Sequence, residues 1–173
     1  MVLDARLKKL ATGVSAKEAA AAHAKSLQPG AALDPRELTQ AEEFRATLEA
    51  MFLMAAVDGE VSREELDQLA ASVQAIADMH AIEGLRLTEM LDELAAKLGD
   101  EGWSARLDTV AARLGSPESR AFAFRLAAGV AFVDDHVAHA EAAAIDALAA
   151  KLGIDSDESQ QILREVTDDL FGS

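Results

Sequence analysis

The sequence predicts an all-α protein: a compact helical bundle of about seven to nine helices in which two helix-turn-helix units repeat each other. Three observations lead there. Half of the residues are hydrophobic, and most of that share is Ala and Leu rather than the β-branched and aromatic residues that fill strands. Apolar positions recur at helical spacing from one segment to the next, and nothing between them alternates with the two-residue period of a strand. Finally, a stretch in the first half of the chain returns, in register, in the second.

The elements follow in order. Leu3, Leu7, Leu10 and Val14 share a helix face with Lys8 and Lys9 opposite, and residues 16–27 form an Ala-rich helix in which His23 is expected to be exposed. Gln28-Pro29-Gly30 breaks the pattern, so residues 1–33 read as a basic helical N-terminal arm and 34–173 as the helical domain. The domain opens at Asp34-Pro35-Arg36-Glu37, where Asp34 can cap, Pro35 suits the first helical position and Glu37 completes a capping box. The helix that follows, to about Val57, is apolar around most of its circumference (Phe44, Leu48, Met51, Phe52, Leu53, Met54, Ala55), which requires burial of that end.

A turn at Asp58-Gly59-Glu60 ends it, and Ser62 with Glu65 offers a second capping box for a helix carrying Leu66, Leu69, Val73 and Ile76 inward. His80, near that helix's end, suits the negative pole of a helix dipole. Further helices are expected at about 86–98, closed by Gly99, and about 102–114, closed by Gly115, with Trp103 filling a gap between helices. Ser116-Pro117 starts the next, which is again apolar nearly all round (Phe122, Phe124, Leu126, Val130, Phe132) and belongs in the centre of the bundle. Asp134-Asp135-His136 ends it. The last two helices fall at about 139–152, closed by Gly153, and about 156–170, with Asp155 or Ser156 as cap.

Shifting the sequence by 76 positions sets residues 55–65 over 131–141, so that Ala55, Val57, Asp58, Val61 and Glu65 recur as Ala131, Val133, Asp134, Val137 and Glu141. Each copy joins a long apolar helix to a second helix through a tight acidic turn. Asp58-Gly59-Glu60-Val61 through Glu65 also matches the second half of an EF-hand loop, with Asp at loop position five, Gly at six, an apolar residue at eight and Glu at twelve. Positions one and three of that loop fall on Met54 and Ala56, or on Val130 and Phe132 in the second copy, none of which carries an oxygen ligand. Neither copy alone builds an EF-hand calcium site.

Two readings of the turns stand side by side. In one they are structural: Gly59 ends a helix, Ser62 starts the next and Asp58 bonds nearby amides. In the other, related helix pairs pack about a pseudo-twofold axis and bring Asp58 and Asp134 together, because clustered carboxylates bind hard cations or basic partners.

The two strings, AAVDGEVSREE and AFVDDHVAHAE, resemble the TerB family of tellurite-resistance-associated proteins, in which an Ala-rich helix runs into a D-G-E-[IV]-x-x-x-E turn and the unit is repeated. The resemblance covers roughly residues 36–171. It implies an all-helical domain with an acidic surface cluster linked to metal ions, and a role in stress-response complexes rather than in catalysis. By motif, Asp58, Glu60 and Glu65 carry over in the first copy, Asp134 and Glu141 in the second. Asp135 stands for the turn glycine, His136 for the acidic residue and Ala138 for the capping Ser, so Asp135 and His136 are additions to the ligand set rather than family positions.

Charge and composition bound the function. With 31 Asp and Glu against 16 Lys and Arg, the net charge is −15, and the acidic excess lies beyond residue 33; the phosphate backbone of a nucleic acid would be repelled. There is no cysteine, which removes disulfides and sulfur-ligated zinc and agrees with a reducing compartment. No apolar run nears the roughly 18 residues of a membrane span, nor does MVLDARLKKL resemble a signal peptide, so a cytoplasmic location is expected, with a peripheral membrane complex open.

No nucleophile-base spacing, phosphate-cradling loop or dinucleotide fingerprint occurs, and no enzyme is expected. His136 and His139, with Asp134, Asp135 and Glu141 nearby, offer nitrogen and oxygen ligands to a transition metal as a lesser alternative. Two functions are therefore expected in parallel. One is a non-enzymatic module that binds a divalent ion, calcium or magnesium before zinc, within a tellurite- or stress-response or envelope-associated complex. The other is a protein-protein interaction module whose acidic patch takes a basic segment without metal.

Overall fold

In the computed structural model, residues 21–28, 30, 32–56, 63–79, 86–133 and 139–171 are described. They form a bundle of helices, and no strand occurs among them. A short helical stretch, 21–26, is followed by α1 (Pro35–Ala55), α2 (Arg63–Met79), α3 (Leu87–Glu101), α4 (Trp103–Arg113), α5 (Pro117–Val133), α6 (His139–Lys151) and α7 (Ser156–Phe171).

The helix starts obey local chemistry. Asp34 Oδ1 accepts from the Glu37 amide at 2.8 Å while the Asp34 amide donates back to Glu37 Oε1 at 3.3 Å, closing the expected capping box with Pro35 at the first helical position. Ser116 Oγ accepts from the Ser119 amide at 3.1 Å ahead of Pro117. Asp155, not Ser156, caps α7: its Oδ1 accepts from the Glu158 amide at 2.8 Å.

The helix ends separate three glycines that look alike in sequence. Gly153 (φ 71°) closes α6 as expected: the Ile154 amide donates to Ala149 O and the Gly153 amide to Ala150 O, while Ile154 tucks into the core. Gly99, expected to close a helix, lies inside α3, which runs on to Glu101 and stops at Gly102 (φ 90°). A helix of this register places Leu87, Leu91, Leu94 and Leu98 in the core, and that stripe carries the chain through one glycine at a cost of roughly 1 kcal/mol. Gly115 is likewise not the terminator of α4; Leu114 leaves the helix in an extended conformation and is itself fully buried.

The two helices with apolar residues on all sides are the centre, as their composition requires. α1 and α5 form the most extensive helix pair; α4 also packs on α1, α7 on α5, and α2 on α3. Phe52, Leu48, Leu53 and Met54 of α1 and Phe124 of α5 are among the largest fully buried side chains, each stabilising the fold by about 1.5–3 kcal/mol relative to exposure. The described part of the N-terminal arm lies against α1, with Ala22 buried and Ala24 packed on the core. His23, expected to face solvent, is 1% exposed. Among the described residues no helix is long and apolar enough to cross a membrane.

Candidate functional site

The duplicated unit survives in the fold as two helix pairs, α1–α2 and α5–α6. Helices α2 and α6 begin at Arg63 and His139, positions that the shift of 76 superimposes. Glu65 and Glu141 therefore occupy the same place, the third residue of the second helix of each pair. Asp58, Glu60, Asp134, Asp135 and His136 lie outside the described residues, as do His80 and the side chains of Glu65, His139 and Glu141. Among the described residues no group of three or more His, Cys, Asp or Glu is placed to hold a metal ion.

The structure does test the EF-hand comparison. Met54 and Val130, which fall at loop position one, are each 2% exposed, and Ala56 at position three of the first copy is fully buried. These residues belong to the ends of the core helices, where burial of apolar side chains holds them away from any ion.

Both acidic segments follow helix C-termini in sequence, where unpaired carbonyls carry a partial negative charge. Neither α1 nor α5 has a basic residue in its last turn. In α1 one of these carbonyls is satisfied by a neutral donor: Trp103 Nε1 donates to Leu53 O at 2.9 Å. The expected gap-filling tryptophan is thus also a cap for α1, which its isolation in the sequence did not reveal.

One turn back along α1 and one turn on along α4 stands the most buried ion pair described. Arg106 of α4 donates from Nε to Glu49 Oε2 at 2.6 Å and from Nη2 to Glu49 Oε1 at 2.7 Å, and Nη1 reaches Glu101 at 3.2 Å. Arg106 is 4% and Glu49 1% exposed. The hydrogen bonds it donates to Glu49 hold the Arg106 guanidinium above its ordinary range, against the opposing effect of burial. Sequence reasoning passed over this pair, though a signal existed: Glu49 is the only charged residue between Arg45 and Asp58.

The repeat places Arg125 where Glu49 stands, and Arg125 is in turn the only charged residue between Arg120 and Asp134. It donates from Nη2 to Glu165 Oε2 of α7 at 2.5 Å. That contact, with smaller help from Gln161, holds the Glu165 carboxyl below its ordinary range. Each central helix therefore carries one charge on its buried length, paired outward to a flanking helix, and the sign is reversed between the two halves. Arg120, a turn earlier on α5, ties two helix ends together: Nε donates to Leu114 O at 2.6 Å, Nη2 to Ala111 O at 3.3 Å and Nη1 to Leu152 O at 3.1 Å.

These pairs are architectural. They are consumed by one another and by backbone carbonyls, and hold α4, α6 and α7 against the central helices. No family model matches the chain, and no curated protein or solved structure does either.

Proposed function

We propose that this protein is a non-enzymatic acidic module of TerB type that binds a divalent cation, calcium or magnesium, through Asp58, Glu60, Glu65, Asp134 and Glu141, with Asp135 and His136 as additional donors. In this reading it works in the cytoplasm as part of a tellurite- or stress-response or envelope-associated complex, as the sequence resemblance implies. The observation that carries the proposal is the duplicated unit: two core helices without a basic residue in their last turns each lead into an acidic turn, and the following helices start at superimposable residues. A cation would offset both the carboxylate repulsion and the helix-end charge.

A second reading is supported by the net charge of −15: the same carboxylates recognise a basic segment of a partner protein, without metal. Calorimetry separates them. Chelator-treated protein is titrated with calcium, magnesium, manganese and zinc, and the melting temperature is followed in parallel. Saturable heat with a hard cation that disappears in Asp58→Ala/Asp134→Ala supports the metal reading. The absence of heat and of any melting shift with all four ions, together with loss of a basic partner in the same variant, would leave the interaction module.

A further inference from the structure

We propose that the helical segment 21–26 is an electrostatic strap on α1, a basic ligand that the chain supplies to its own acidic body and that rising ionic strength releases. The two parts carry opposite charge: residues 1–33 hold five Lys and Arg against two Asp and Glu, a net +3, and residues 34–173 hold eleven against twenty-nine, a net −18. Where they meet, the attraction becomes a contact. Lys25 Nζ of the segment lies 2.9 and 3.1 Å from the two carboxylate oxygens of Glu37, in the first turn of α1. From the opposite side Arg45 of α1 donates through Nη2 to Ser26 Oγ at 2.8 Å, and Ser26 Oγ donates to His23 O at 2.6 Å.

The contact also has a part that screening leaves in place. Ala22 is buried, Ala24 packs on the core, and the His23 ring stacks on Phe44 with centroids 4.7 Å apart. These groups set where the segment sits. The ion pair behaves differently, because the Lys25 and Glu37 side chains are 43% and 28% exposed and mobile ions reach both. The range over which charges act falls from about 30 Å at 0.01 M salt to about 3 Å at 1 M. An exposed pair of this kind shifts a docking equilibrium by about two- to fivefold, and the longer-range pull of a negative body on a positive arm fades over the same interval.

The rest of the molecule responds in the opposite sense. A body of net −18 repels itself, and salt relieves that repulsion, so the central helices hold or gain stability as salt is added. A segment that came away only when the whole bundle unfolds would follow them. A strap departs from them. Once released, a helix of six residues does not keep its turns in water, so its amides register the release.

The test is amide hydrogen exchange of residues 21–28 in the full chain, at constant pH in about 0.01 M and about 1 M sodium chloride, with the amides of α1 and α5 as internal reference. In wild type the segment's protection is expected to fall about two- to fivefold while α1 and α5 hold or gain. In Lys25→Met, which keeps an apolar stem and removes the charge, protection in low salt starts lower and falls less. Wild-type protection that stays level or rises with salt, or an equal fall in Lys25→Met, overturns the proposal. Should Lys25→Met be unprotected at both salt concentrations, Lys25→Arg decides: protection and a fall like those of wild type support the strap, and a level or unprotected segment overturns it.

Discussion

The pair between Glu49 and Arg106 offers the sharpest test of how the core is assembled. Replacing Glu49 by Leu leaves Arg106, 4% exposed, with only Glu101 at 3.2 Å, itself 45% exposed. Such a solvated contact recovers about 1 kcal/mol at most. Replacing Arg106 by Met strands a carboxylate that is 1% exposed. Removing one member of a buried pair costs about 3–5 kcal/mol, so each single variant should lose at least about 3 kcal/mol and melt roughly 10 °C lower for a chain of this size. The double variant Glu49→Leu/Arg106→Met restores an apolar contact of similar volume, and its stability should return to within about 1 kcal/mol of wild type or exceed it. Urea unfolding followed by Trp103 fluorescence measures all four proteins. Single losses under about 1 kcal/mol, or a double variant as unstable as the sum of the singles, would refute the argument that the two charges are held in the core by each other.

Two further outcomes follow from the helix ends and the second ion pair. Ala at Gly153 forces φ 71° on a residue with a Cβ and should cost about 1–2 kcal/mol, whereas Ala at Gly99, which lies inside α3 with open space around its Cβ, should raise stability by about 0.5–1 kcal/mol; thermal unfolding of the two variants compares them directly. Because Arg125 lowers the Glu165 carboxyl, its contribution is fully present above the ordinary glutamate value of about 4.3 and is lost as pH falls through the lowered folded-state value. With Glu165 44% exposed, wild type should exceed Glu165→Gln by only a few tenths of a kcal/mol at pH 6 in low salt, the difference shrinking in acid and in concentrated salt, as chemical denaturation across that pH range would register.

The fold was readable wherever one residue type has one physical use. Asp34, Pro35 and Glu37 form a start signal with no competing purpose, and apolar residues on every side of α1 and α5 leave those helices nowhere but the centre. Glycine is different. Gly99 and Gly153 are equally able to end a helix, and only the leucine stripe continuing to Leu98 and the turn at Gly102 distinguish them. His23 was misjudged for a related reason: an Ala-rich helix has no apolar stripe to show which side is covered, so its burial depends on Phe44 and Arg45, about twenty residues away. The acidic set rests on the repeat and on the resemblance of its turn motif, and Asp58, Glu60, Asp134, Asp135 and His136 fall outside the described residues. The ion pairs were missed because a lone charge in an apolar run announces that a partner exists without saying which helix supplies it.

The reversed signs of Glu49 and Arg125 have a consequence for how two such similar halves avoid being mistaken for each other. An internal duplication invites exchange, whether within one chain during folding or between chains, since each core helix presents much the same apolar surface to its neighbours. Were α5 to settle in the place of α1, Arg125 would confront Arg106; were α1 to take the place of α5, Glu49 would confront Glu165. The first mis-threaded arrangement sets like charges together where water is scarce and the second does so at a half-exposed position, so a single opposite choice at one register position gives each half its own address.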